Sequence, residues 1–494
     1  MSINIINTEL KVPTLLNNTI GASSSKKSKK INDLKHSIGT LKSSFSEFWT
    51  FRKISIRSCK SFKNNLDALL KKSPGYKRNQ LFEEVDLLIA KSWNEFNLPD
   101  CFNNLFNYQF IVNKIAKILL DHQQPLEFKK QIIENVIANY ISFFNIAVEQ
   151  IQTDLKEDHR LLETFEIDPT MKTINIRVLG DETHNQGKNP LLIELSSNGK
   201  TIDKTIVYKP RSMITEKLIC GPEGVFDAFH LPIYKIYDKK NYGYCEWLEN
   251  NEEENRFESL EEIELYLNEF GLMDKIAGFL GLSDLHQGNV ITSKKRPSLI
   301  DTEVLVPAIT EAYTSGLVNG VTAGFVFEYN THNRIWITDN LLNKQQIKTL
   351  NDPMMCCLDI LTIFENLGVL DKTIKKFKIH EGVREFEKNE IDIIHETQKA
   401  LSDCRHRLIL QGTTQLTLLI QEDLHKGFND FYKNIITGLK EWGFIPEFEK
   451  EELFKLFEQD VKNNDVPVFY FEPSTGVSYY GPLLLGKINT NPQK

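Results

Sequence analysis

The chain has 494 residues and a formal net charge of −8, an acidic balance that argues against a general nucleic-acid-binding surface. Hydrophobic residues at 41% and charged residues at 26% are those of a globular chain with a sizeable core and room for two or three structural units. Seven scattered cysteines without a C-x-x-C speak against a disulfide framework or a zinc site. Neither a secretory signal nor an apolar run of about 18 residues is visible, so the expectation is a cytoplasmic protein without a transmembrane segment.

Residues 1–30 are rich in Asn, Ser and Lys and read as a flexible, solvated tail. Residues 31–168 place apolar side chains at mixed spacings of three and four with almost no glycine, which predicts a helical region. Within it Ile132, Val136, Tyr140 and Phe144 recur at four-residue steps. At Thr173 the period changes to two, and Ile174, Ile176 and Val178 predict a half-buried strand. Strands over Leu191–Leu195, Thr205–Tyr208, Ile233–Tyr237 and Tyr242–Leu248 complete a small sheet, with a turn at Ser197-Asn198-Gly199. Ser259 and Glu262 form a capping-box signature that opens a helix, and Gly281 ends it. Residues 304–400 have little clear period. Gly316, Gly320 and Gly324 suggest a loop of the kind that covers active sites, and Ile391–Leu401 reads as helix. Residues 442–466 are helix-rich.

The stretch Ser283–Glu303 carries the most chemistry. Two short apolar runs, Val290–Thr292 and Ser298–Ile300, flank a polar five-residue link ending in Pro297, which predicts a β-hairpin. A register symmetric about that link sets Val290 opposite Ile300 and Asn289 opposite Asp301. With Asp284 and His286 just upstream, this is an oxygen-rich, partly anionic pocket of the type Mg²⁺ takes together with nucleotide phosphates. One reading is phosphoryl transfer, with Asp284 orienting or deprotonating an acceptor hydroxyl and Asn289 and Asp301 holding Mg²⁺. The other is a surface hairpin with ordinary polar flanks. Lys209, at a strand end, is either the cation that ATP phosphates need or a solvated charge. The order of sheet, lysine, helix, polar loop and hairpin is that of a two-lobed kinase.

Seven blocks in this order resemble the dehydratase domain of class II lanthipeptide synthetases, the LanM family. They are GDETHNQG at 180–187, VYKPRS at 207–212, YGYCEWL at 242–248, DLHQGNVI at 284–291, IDTEVL at 300–305, RLILQGTTQ at 407–415 and DVPVF at 465–469. The resemblance implies an α+β fold: a helical N-terminal region, then a two-lobed kinase-like core related to lipid kinases at 169–480, with helical C-terminal additions and a tail at 481–494. It implies ATP-dependent, Mg²⁺-dependent phosphorylation of Ser and Thr in a precursor peptide carrying a leader segment, followed by phosphate elimination. Lys209, Asp284, His286, Asn289 and Asp301 match the phosphorylation half. Glu246 matches an acid near the nucleotide, and Glu303 follows the metal-ligand Asp. His184, Arg407 and Thr413 match the elimination half, where Arg suits a leaving phosphate through its bidentate fork.

Three departures stand out. Glu182 occupies the place of the family's Asp, with Asp181 one residue earlier, and which carboxylate serves stays open. Gln411 replaces a second Arg, removing a positive charge from the phosphate pocket. The Cys and His set of a C-terminal zinc cyclase is not found, so the expected partner is a separate cyclase or none. Three functions follow: a dehydratase, a kinase of the same fold that does not eliminate, and a non-catalytic peptide-binding module.

Overall fold

The computed structural model describes positions 107, 110, 111, 114, 115 and 118, and then residues 126–488 apart from 181–182, 252, 283–284, 286–288, 306–335, 338–385, 409 and 411–423. The chain divides into a unit of residues Ile5–His122 and a unit of residues Gln123–Lys494. In the first, the described positions are helical. In the second, helices and strands are mixed, as the sequence leads one to expect.

The second unit starts with a long helix, α1 (Leu126–Glu157), and a short one, α2 (His159–Phe165). The four-residue stripe of Ile132, Val136, Tyr140 and Phe144 is the buried face of α1. The division of the chain at 122/123, rather than the expected 168/169, has a physical cause. Asp154 of α1 is buried and accepts hydrogen bonds from Tyr244 at 2.8 Å, Tyr242 at 2.9 Å and Lys239 at 2.7 Å. These contacts bind α1 to the sheet that follows, so it belongs to the same unit.

That sheet is built from β1 (Lys172–Val178), β2 (Leu191–Ser196) and β3 (Lys204–Lys209), followed, after the short helices α3 (Ile214–Cys220) and α4 (Val225–Ala228), by β4 (Ile236–Asp238) and β5 (Gly243–Glu246). The order is β1-β2-β3-β5-β4, antiparallel throughout. A bulge between Thr173 and Asn175 shifts the register of β1, and of its three alternating apolar residues only Ile176 is fully buried. Next come β6 (Arg256–Phe257) and α5 (Leu260–Leu280). Ser259 and Glu262 close the reciprocal capping box, and Gly281 ends α5 in the left-handed conformation with φ of +72°.

The hairpin β7 (Val290–Ser293) and β8 (Arg296–Leu299) forms, but in a different register from the symmetric one. Val290 pairs with Leu299 rather than Ile300, and the connection is two residues, Lys294-Lys295, both at positive φ. This is the geometry of a tight hairpin turn, usually filled by Asn-Gly. Lys295 is drawn in from outside: its amide donates to Asn255 Oδ1 at 3.0 Å, and its ammonium reaches Glu262 at 2.6 Å. Pro297 stays in the strand, opposite Thr292 in this two-stranded pair.

The chain continues through β9 (Trp336–Ile337), parallel to β6, and α6 (Lys388–Ser402). Then β10 (His406–Leu408), α7 (Leu424–Glu441), β11 (Phe444–Pro446), α8 (Lys450–Asn463), β12 (Phe469–Glu472), β13 (Val477–Tyr480) and β14 (Leu483–Ile488) build a second antiparallel sheet. Its order is β10-β12-β13-β14-β11. Residues 483–488, expected within a tail, are therefore a central strand, and Leu485 is wholly buried. Phe431, Phe457, Phe469 and Tyr480 form the aromatic core under this sheet.

Candidate active site

The site grows from the end of β3. Lys209 pairs across the ladder with Gly243 of β5. A Cβ at Gly243 would lie 2.8 Å from the Tyr237 carbonyl oxygen, so glycine is what lets the strands close here. Pro210 then ends the strand, and Asp238 accepts from the Met213 amide at 2.7 Å, setting the start of α3. That helix turns Glu216 back towards Lys209, with Glu216 fully buried and its Oε1 3.4 Å from the ammonium.

Asp301 closes the arrangement from the other side, Oδ1 accepting from Lys209 at 2.9 Å. It follows the hairpin at φ +63°, a left-handed conformation in which Asp is among the better tolerated residues. Arg211 donates to both Glu216 and Asp301, and its Nε lies 2.6 Å from Glu303. Arg407 on β10 donates to the same Glu303 at 2.7 Å. The backbone repeats the link, with the Arg407 amide on the Glu303 carbonyl at 3.0 Å and the Leu305 amide on the Arg407 carbonyl at 3.3 Å. Three cations, Lys209, Arg211 and Arg407, thus meet three carboxylates, Glu216, Asp301 and Glu303, where the hairpin joins the two sheets.

The electrostatics follow from burial and neighbours. Burial opposes ionisation of Asp301, yet Lys209 and Arg211 hold its carboxyl well below the usual range. Burial likewise opposes ionisation of Glu216, and Arg211 and Lys209 outweigh it. Burial disfavours the charged form of Lys209, and Asp301 more than restores it, so the ammonium stays protonated above its ordinary range. All three groups are therefore charged at neutral pH. Glu216 Oε2, buried beside them, has no hydrogen-bond partner among the described residues.

Of the residues expected in the site, Lys209, Asp301 and Arg407 come together with Glu303. Asn289 is buried at the foot of the hairpin, its carbonyl accepting from the Ile300 amide at 2.8 Å, so it lies one position off Asp301 rather than opposite. Glu246 is not in the charge cluster. It pairs with Ile206, about 10 Å along β3 from Lys209, and accepts from the Lys235 amide at 3.1 Å. His184 lies in a turn against residues 464–466. The neighbouring Asn185 reaches the Tyr470 hydroxyl at 3.4 Å, and Tyr470 is the strand partner of Arg407. Glu182, Asp284, His286 and Thr413 lie outside the described residues.

Sequence reasoning missed Arg211, Glu216 and His406. The pattern offered one signal for Glu216: it shares a helix face with Ile219 and Cys220, at spacings of three and four, where a carboxylate needs a cation. His406 is buried between two elements. Its Nε2–H donates to the Leu401 carbonyl at 2.6 Å, so Nδ1 accepts from the Thr215 hydroxyl at 3.2 Å. Burial pushes this imidazole below its ordinary pKa, and the neutral ring ties the helix of Glu216 to the strand of Arg407.

Among the described residues no group of three or more His, Cys, Asp or Glu has the form of a metal site. Mg²⁺ in phosphate-transfer sites needs less, since it takes one or two protein oxygens with waters and substrate phosphates. Asp301 and Asn289 fit that demand. Among the described residues, both hydrogen bonds of the Asp301 carboxylate fall on Oδ1, which leaves Oδ2 to a cation.

A family model described as Domain of unknown function (DUF4135) matches residues 130–456. The chain is also similar to the Lacticin 481/lactococcin biosynthesis protein LcnDR2 of Lactococcus lactis subsp. lactis, with 25% identity over 230 residues, 43% of this chain and 24% of that protein. It thus spans about a quarter of the length of the curated relative it matches.

Proposed function

The chain belongs to the DUF4135 family, a LanM-like family, and from that premise we propose that it is a peptide Ser/Thr dehydratase of lanthipeptide-type biosynthesis, working by phosphorylation and then elimination. The observation that carries this reading is Glu303. One carboxylate bridges Arg211, from the lysine-bearing segment, and Arg407, matched to elimination, so the two sets of residues belong to one charge network.

In the first step the substrate hydroxyl oxygen bonds to the γ-phosphorus of ATP and the bond to ADP breaks. Lys209 neutralises phosphate charge and Glu216 fixes it from behind, the lysine–glutamate pairing of kinase-like phosphate sites. Asp301 and Asn289 would hold Mg²⁺, which supplies charge neutralisation on the phosphates when bound. Asp284 and His286 are assigned to the acceptor hydroxyl. In the second step the Cα proton is removed, the Cβ–O bond breaks, and phosphate leaves as the double bond forms. Arg407 and Thr413 receive the leaving group, while His184, with Glu182 or Asp181, moves the proton. Glu246, three residues along β5 from the Lys209 pairing, is assigned to the nucleotide by its motif. The precursor peptide is the partner, with a separate cyclase or none, in the cytoplasm. Gln411, in place of an arginine, favours the second reading, a kinase that stops at the phosphopeptide.

Co-expression with the cognate peptide tests this. The expected product has lost one water per modified residue, and Asp301→Asn returns unmodified peptide. Phosphate adducts alone select the kinase, and an unchanged peptide with the native chain removes both readings.

A further inference from the structure

The turn that carries His184 is held by a segment some 280 residues away. Asn185, Gln186 and Gly187 take successive positive φ values of +48°, +68° and +83°. The first two are not glycines, and such a backbone persists only where its surroundings fix it. Gly187 is pressed on α1, where an added Cβ would lie 3.3 Å from the Asn139 Cβ. Asp465 supplies the rest. Its side chain is buried, and it accepts from the Gln186 amide at 2.6 Å and the Gly187 amide at 3.1 Å. Consecutive amides of this conformation form a concavity suited to an anion.

Asp465 is itself placed by the end of α8. Asn464 caps that helix in the left-handed conformation, and the Asp465 amide donates to the Asp460 carbonyl at 3.0 Å. Three further bonds bind the two segments: the Val466 amide to the Thr183 carbonyl at 2.8 Å, the Thr183 hydroxyl to the Asn464 carbonyl at 3.3 Å, and His184 Nδ1 to the Val466 carbonyl at 3.1 Å. The last has a chemical consequence. A carbonyl only accepts, so Nδ1 must carry the proton, and in the neutral ring the lone pair is on Nε2.

We infer that Asp465 is a positioning residue for His184: it clamps the 185–187 turn so that the Val466 carbonyl fixes the ring with Nδ1 protonated and Nε2 as the proton acceptor. The use of that acceptor in elimination rests on the function proposed above, whereas the tautomer does not.

The test takes the full chain labelled with ¹⁵N-histidine, with His184→Gln identifying the His184 signals. The native protein is expected to show the neutral Nδ1–H form at His184, and Asp465→Asn to move it toward the Nε2–H form that free imidazoles prefer. A native Nε2–H form, or a tautomer unmoved in a folded Asp465→Asn chain, overturns the proposal. If Asp465→Asn fails to fold, the native spectrum alone decides. With the cognate peptide, Asp465→Asn should raise the ratio of phosphorylated to dehydrated product by about tenfold to a hundredfold, and Asp465→Glu should restore part of it. Equal loss of both products would mean a structural role only and overturn the assignment. A native chain that makes neither product defeats the proposed function, while the tautomer still answers for the clamp.

Discussion

The charge cluster at Lys209 and the turn at His184 are built in opposite ways. In the cluster, charged side chains neutralise one another, and their positions follow from strand ends and a nearby helix. In the turn, a strained backbone is held by hydrogen bonds to one carboxylate and to main-chain groups far along the sequence. The first is robust in position but costly to break, because removing one member leaves a buried charge uncompensated. The second is cheaper to disturb but sensitive in geometry, because the ring's tautomer follows from the bond of Nδ1 to the Val466 carbonyl.

Glu216→Ala probes the cluster side of this contrast with the largest effect. It strips Lys209 and Arg211 of a fully buried partner, and the destabilisation should approach the about 3–5 kcal/mol typical of breaking a buried pair. The low end is expected, since Asp301 still serves both cations. Chemical denaturation measures it, and a loss under about 1 kcal/mol would show that the cluster behaves like surface ion pairs.

A second probe addresses the turn side through pH. Asp460 is half-buried, bonded by the Tyr480 hydroxyl and close to Asp465. Burial and the Asp465 charge push its carboxyl up to about 7. An unfolded Asp titrates near about 3.9, so between these values the folded chain binds the extra proton. Stability from this group therefore falls as pH rises from about 4 to about 7, then levels. Asp460→Asn should flatten that slope and stabilise the chain at pH 8 by about 1–2 kcal/mol, a fraction of the unscreened shift. An unchanged slope in urea titrations across that window would contradict the raised carboxyl of Asp460.

The smallest effect belongs to the hairpin that orients Asp301. Lys294 is exposed at φ +52° in the two-residue turn. Lys294→Gly should stabilise the chain by about 0.5–1 kcal/mol, read as a rise in thermal midpoint. A fall would mean that the turn is not of this type.

These regions also differ in how much of them could be read from the residues. The ends of α5 were legible because the Ser259–Glu262 box and Gly281 are local chemistry. The hairpin was legible, but not its register. Pro297 looks like a turn residue, whereas the turn falls at Lys294-Lys295, where Lys295 is held by Asn255 and Glu262, contacts no short window contains. Lys209, Asp301 and Arg407 were singled out through motif blocks. Glu216, the buried partner of Lys209, was not, because a buried glutamate in a short helix looks like any surface acid until its neighbours are known. The Asp465 clamp joins residues 279 positions apart and leaves no local trace. Residues 483–488 follow a turn near the end of the chain, and only their pairing with β13 and β11 makes them a strand.

On the proposed function, Arg407 serves elimination from within the network that Lys209 and Asp301 use for phosphorylation. Arg407→Met, co-expressed with the cognate peptide and analysed by mass, decides this. Phosphopeptide should accumulate in place of dehydrated peptide. Dehydrated product at the native level would remove Arg407 from the elimination step and separate the two halves that Glu303 joins.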